Sequence, residues 1–70
     1  MIDNKELTIR FTYHPPIGNQ ATTYEQIRKE AALFAGSIRN QTPICREQSL
    51  AITKIEEAVF WANAAIARRS

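Results

Sequence analysis

Seventy residues carry nine lysines and arginines against seven acids, a net charge of +2, with 44% of positions apolar and 23% charged. That balance excludes a disordered chain. It also leaves no basic block of the kind that a nucleic-acid duplex or an anionic membrane attracts. Cys45 is the single cysteine, which excludes an internal disulfide and a multi-cysteine metal site.

No apolar run approaches the ~18 residues of a membrane span, and the start, MIDNKEL, lacks a signal-peptide pattern. A soluble, intracellular protein is expected. A chain of this length makes one domain whose core contributes only a few kcal/mol, so assembly is a common source of further stability.

The first six residues are polar and read as a frayed end. Residues 7–13 alternate Leu7, Ile9, Phe11 and Tyr13 against Thr8, Arg10 and Thr12, a period of two that predicts a half-buried extended segment. A lone strand cannot satisfy its backbone hydrogen bonds, and the sequence offers no second one. The segment is therefore expected to pair with another chain or to lie as an arm across the helices. His14, Pro15 and Pro16 end it in a stiff turn, since proline fixes φ and removes a donor. That loop has two open readings, a binding lip or a spacer between arm and helix.

A first helix is predicted from Thr22 or Thr23, each followed three places on by Glu25 or Gln26 in a capping-box pattern. Tyr24, Ile27, Ala31, Phe34, Ala35 and Ile38 share its apolar stripe. Arg28 and Arg39 flank the stripe, and Ala32 with Gly36 forms a small-residue notch on the outer side. Pro43 stops the helix by forcing the residue before it to be extended.

The second helix starts near residues 44–46, with Cys45 where an N-cap serine is expected, and runs to about Ala67. A link of about four residues makes the pair an antiparallel hairpin. Because a helix turns about 100° per residue, Ile52, Ile55, Val59, Ala62 and Ile66 fall on one stripe. Leu50 and Trp61 lie opposite, beside Lys54, Glu57 and Arg68. One stripe is covered by the first helix. The other needs a further copy, which makes this helix the centre of a homo-oligomer. The expected fold is thus all-α: residues 1–20 form an extended arm and loop, and residues 21–70 form a two-helix hairpin assembled into a bundle.

No enzyme constellation is visible. The single histidine and cysteine lie on different elements, and adjacent Glu56 and Glu57 diverge on the helix. There is no glycine-rich phosphate loop, HExxH or CxxC motif. Neither catalysis nor a cofactor or metal is expected. Ser49, Thr53 and Glu56 follow one edge of the second helix with Asn63 beyond them, and Lys54 flanks Trp61 on the other side. Such residues suit the polar rim of a helix–helix interface. They equally suit recognition of a small polar anion such as a nucleotide, with cations on phosphates and aromatic rings on bases.

The stretches FTYHPPIGNQ, YEQIRKEA and REQSLAITKIEEAVFWANAAIAR closely resemble the helical hairpin shared by bacteriophage anti-CBASS and Thoeris anti-defence sponges. The resemblance covers about residues 10–68 and is most specific in the second helix. It implies tight binding of cyclic di- or trinucleotides or cyclic ADP-ribose isomers without degradation, in the host cytoplasm. It also implies homo-oligomers, commonly hexamers built from dimers, with pockets between protomers.

Carried over by matching position, it implies a phosphate contact from Arg46 and a lid from Tyr13, His14 and Pro15. It also implies a ligand-binding role for Thr53, which matches a threonine recurring in the same helix even in diverged members. Arg28 matches the first-helix IR pair, and Lys54, Trp61 and Asn63 belong to the TK…WAN pattern. The chain departs from the family at Cys45, where serine is more usual, and at Lys29-Glu30, which inverts an acidic-then-basic order. The β-rich part of the larger members is not present in it. The leading expectation is a cyclic-nucleotide sponge that contacts neither duplex nor membrane. Its alternative is a structural or adaptor module binding a host or phage protein through the Leu50–Trp61 face.

Overall fold

The structure, a computed structural model, describes residues 2–70 and consists of three helices, with no strand among them. Helix α1 spans Asn4–Phe11, α2 spans Gln20–Gln41 and α3 spans Arg46–Arg69. At 1.5 Å per residue, α2 and α3 are rods of about 33 and 36 Å.

Residues 4–6 of the expected frayed end and 7–11 of the expected extended segment are helical instead, and the reasons are local. Asp3 is the N-cap, its carboxylate accepting from the Glu6 amide at 2.8 Å. Thr8 and Thr12 donate their hydroxyls to the carbonyls four residues back, and Arg10 pairs with Glu6 one turn below. A helix satisfies its own backbone groups, whereas a strand without a partner does not. The alternation was a weaker signal than the Asp3-x-x-Glu6 cap. Beyond Thr12 the chain is irregular, and the imidazole Nε2–H of His14 donates to the Ile9 carbonyl at 2.8 Å, covering an orphan acceptor at the end of α1.

Helix α2 begins two to three residues before the expected Thr22 or Thr23, with Asn19 at the N-cap and no side-chain cap bond. Gln20 organises this end. Its backbone N–H donates to the Ile17 carbonyl, and its side-chain oxygen accepts from the Ile17 amide, both at 3.1 Å. The turn passes through Gly18 at φ +56°, in the left-handed region that a side chain disfavours. The other end behaves as expected, with Thr42 extended ahead of Pro43.

Two cross-links show that α2 and α3 run antiparallel. Gln20 near the start of α2 donates from Nε2 to the Ile66 carbonyl at 3.3 Å, near the end of α3. At the bend, Gln48 of α3 donates from Nε2 to the carbonyls of Arg39 and Thr42 and to the Thr42 hydroxyl. These are terminal carbonyls that α2 cannot satisfy itself, and Gln48 is the one buried residue among those described. Cys45 caps α3 without a side-chain bond, and its thiol donates to the Pro43 carbonyl. The cap therefore lacks the side-chain bond that a serine oxygen supplies at this position.

Ile52, Ile55, Val59, Ala62 and Ile66 are half-buried against Tyr24, Ile27, Ala31, Ala35 and Ile38. Phe34, expected on that stripe, is instead 58% exposed. No apolar side chain among the described residues is fully buried. The cause is shape. The molecule measures 45 × 31 × 13 Å, one helix diameter thick, and a domain normally needs two packed layers. Its radius of gyration is 15.3 Å, against about 11 Å for a compact chain of this length. Its accessible surface is 5815 Å², against about 4,450 Å² for a monomer of this mass.

Candidate functional site

On one face of the hairpin, α2 and α3 line an open groove of about 420 Å³. Helix α3 contributes Thr53, Glu56, Phe60 and Asn63, whose spacings of three, four and three place them on one side of the helix. Helix α2 contributes Arg28 and the small side chains Ala31, Ala32 and Ala35, which leave the floor low. Gly36, the other half of the small-residue notch, lies outside this lining, and a Cβ there would meet nothing within the chain.

A second depression, of about 510 Å³, adjoins it toward α1. It gathers Tyr13 and His14 from the loop, Arg10 from α1, Tyr24 and Arg28 from α2, and Asn63 and Arg68 from α3. Arg28 and Asn63 therefore line both. Of the three arginines here, Arg10 is paired with Glu6 and Arg68 donates to the Arg10 carbonyl at 3.4 Å. Arg28 makes no ion pair or side-chain hydrogen bond among the described residues. The side-chain oxygen of Asn63 is shielded from solvent and accepts no hydrogen bond. Leaving such a group unpaired costs about 1–3 kcal/mol, a cost that an incoming N–H or O–H donor removes.

The arrangement spans the whole hairpin together with α1, and so does the sequence signature: the model of the Acb2/Tad1 hairpin domain matches residues 3–67. This chain belongs to the Acb2/Tad1 hairpin family. That is the family of phage anti-CBASS and anti-Thoeris sponge proteins. Neither the curated proteins nor the solved structures compared with the chain gave a match.

In this Acb2/Tad1 hairpin the residues singled out from sequence fall into separate places. Arg28, Thr53 and Asn63 share the groove. Tyr13 and His14 join Arg28 and Asn63 in the neighbouring depression, where Pro16 rather than Pro15 lines the wall. Lys54 lies on the opposite face of the hairpin beside Ile27, Glu30 and Phe34, and donates to Glu57 at 3.2 Å. Trp61 is 65% exposed and lines a hollow with Phe11, Arg68 and Arg69. Arg46 and Ser49 stand exposed in the first turn of α3 at the bend, where Arg46 is about 25 Å along the helix from Asn63.

Within one chain these ten residues do not form one pocket. His14 is committed to the end of α1, so its imidazole is a structural donor here. Sequence reasoning did not rank Phe60, Tyr24, Arg10 and Arg68 as site residues, although the groove or its neighbour is lined by them. The step from Glu56 to Phe60 to Asn63 was the available signal for Phe60. Nothing in the sequence signalled Arg10, because its position depends on α1 folding back onto the end of α3. No helix of the described residues is long and apolar enough to cross a membrane.

Proposed function

We propose that this protein sequesters cyclic nucleotide immune messengers, binding cyclic di- or trinucleotides or cyclic ADP-ribose isomers and releasing them unaltered. The observation that carries this reading is the position of Arg28 and Asn63 on both depressions: a free cation for phosphate beside a shielded acceptor with no partner. Charge-assisted bonds from arginine to phosphate are among the strong polar contacts, and the neighbouring Phe60, Tyr13 and Tyr24 offer rings for base stacking. Membership of the sponge family supports the same class of ligand.

The working form in this reading is a homo-oligomer, a hexamer built from dimers, with pockets completed between copies. A one-layer chain with Trp61 65%, Phe11 82% and Leu50 43% exposed has apolar surface for further copies to cover. Assembly would also bring Arg46, Ser49 and Lys54 of one copy toward the grooves of another. The same exposed Leu50 and Trp61 favour a second reading, an adaptor that binds a host or phage protein.

Capture and release decides between them. The purified protein is incubated with each messenger class, freed of unbound ligand and then heated. Recovery of intact ligand supports the sponge and identifies its messenger class. Altered ligand contradicts sequestration, and retention of none leaves the adaptor.

A further inference from the structure

We propose that the groove between α2 and α3 is a base pocket that selects guanine, with Glu56 as the residue that reads it. The inference rests on the sponge reading and specifies its ligand. Glu56 lines the groove, yet its carboxylate makes no hydrogen bond or ion pair among the described residues. Away from the groove, Glu57 takes Lys54, and Glu6 takes both Arg69 and Arg10. An unpaired carboxylate in a groove that receives phosphates repels them unless it faces hydrogen-bond donors.

The bases differ in what they offer such a group. Guanine presents two adjacent donors, N1–H and the exocyclic N2–H, which match the two carboxylate oxygens. Adenine and cytosine each set an amino donor beside a ring-nitrogen acceptor, and uracil sets one N–H between two carbonyls. A carboxylate accepts both bonds from guanine alone and meets a lone pair on every other base.

The surroundings suit that pose. Phe60 follows Glu56 by one turn on the same face and is 63% exposed, free to stack on a ring. Asn63 adds its unpaired oxygen a turn further on. Arg28 faces them from α2, available to phosphate. The groove, at about 420 Å³, has the size of a small-ligand pocket.

Calorimetric titration of cyclic di-GMP and cyclic di-AMP into the wild-type protein and E56Q tests the assignment. The wild type is expected to bind cyclic di-GMP about tenfold or more tighter, the discrimination typical of a two-bond base contact. In E56Q, where an amide donor replaces one acceptor and the negative charge is removed, that advantage is lost. Cyclic di-AMP binding is expected to hold or rise, since an amide can pair with both the amino group and a ring nitrogen of adenine. F60A is expected to weaken both ligands together.

Equal affinities in the wild type overturn the guanine assignment and leave the sponge reading standing. So does a loss of affinity in E56Q shared equally by both ligands, or an E56Q protein with a lower assembled mass, which would make Glu56 an assembly residue. Binding of no cyclic nucleotide of any class overturns the sponge reading together with this one.

Discussion

The carboxylate of Glu6 in α1 is held by the guanidinium of Arg69, 63 residues away at the far end of the chain, and by Arg10 one turn above it. The Arg69 and Arg10 hydrogen bonds lower the Glu6 pKa from the ordinary 4.5 to about 2. A depressed carboxylate stabilises the folded state above its unfolded pKa, and that contribution is lost as pH falls through the folded value. The tie between α1 and α3 is therefore expected to hold at pH 5 and to release between about pH 4 and pH 2. E6A should release it at neutral pH, with amide exchange rising across Asn4–Phe11 and helix content falling by no more than those eight residues. Unchanged protection of α1 in E6A would show that other contacts hold it.

Gln48 clasps the bend. Its amide donates to the last carbonyls of α2 from the one buried position among the described residues. Q48L keeps the volume but strands those acceptors, at about 1–3 kcal/mol. Thermal or urea unfolding should show a loss in that range, and Q48E should not restore it, since a carboxylate cannot donate.

Arg28 is the free cation shared by both depressions. R28A is expected to weaken messenger binding by about ten- to a hundredfold, as loss of a charge-assisted contact does, with the assembled mass unchanged. R46E should also lose ligand with assembly largely intact, by placing an acid where the family resemblance implies a phosphate contact at the start of α3. If both variants bind every messenger normally, the phosphate contacts lie elsewhere.

The missing second layer makes self-assembly the expected outcome. Sedimentation or light scattering should give a multiple of 8.0 kDa. L50E combined with W61E should shift the mass to that of one chain and lower the unfolding midpoint. A single-chain mass for the wild type would contradict the oligomeric reading.

The hairpin itself was legible in the sequence because its signals are local. The 3.6-residue stripes of Ile27 to Ile38 and Ile52 to Ile66, the stop at Pro43 and the uncapped start at Cys45 depend on neighbours a few places apart. So did the family, whose second-helix pattern is long and specific. Helix α1 was misread although its evidence was also local, because the alternation of residues 7–13 obscured the Asp3 cap and the Arg10–Glu6 turn.

What only the tertiary structure decided is which residues meet. The sequence placed Thr53 and Asn63 on one edge of the second helix and Lys54 with Trp61 on the other; the geometry of the hairpin brings Arg28 to the first group and sets Trp61 beside α1, apart from Lys54. The contacts of Glu6 with Arg69, Gln20 with Ile66 and Gln48 with Arg39 span nine to 63 residues. Helical periodicity fixes the face of a helix a residue occupies, but not what the chain folds back to place against it.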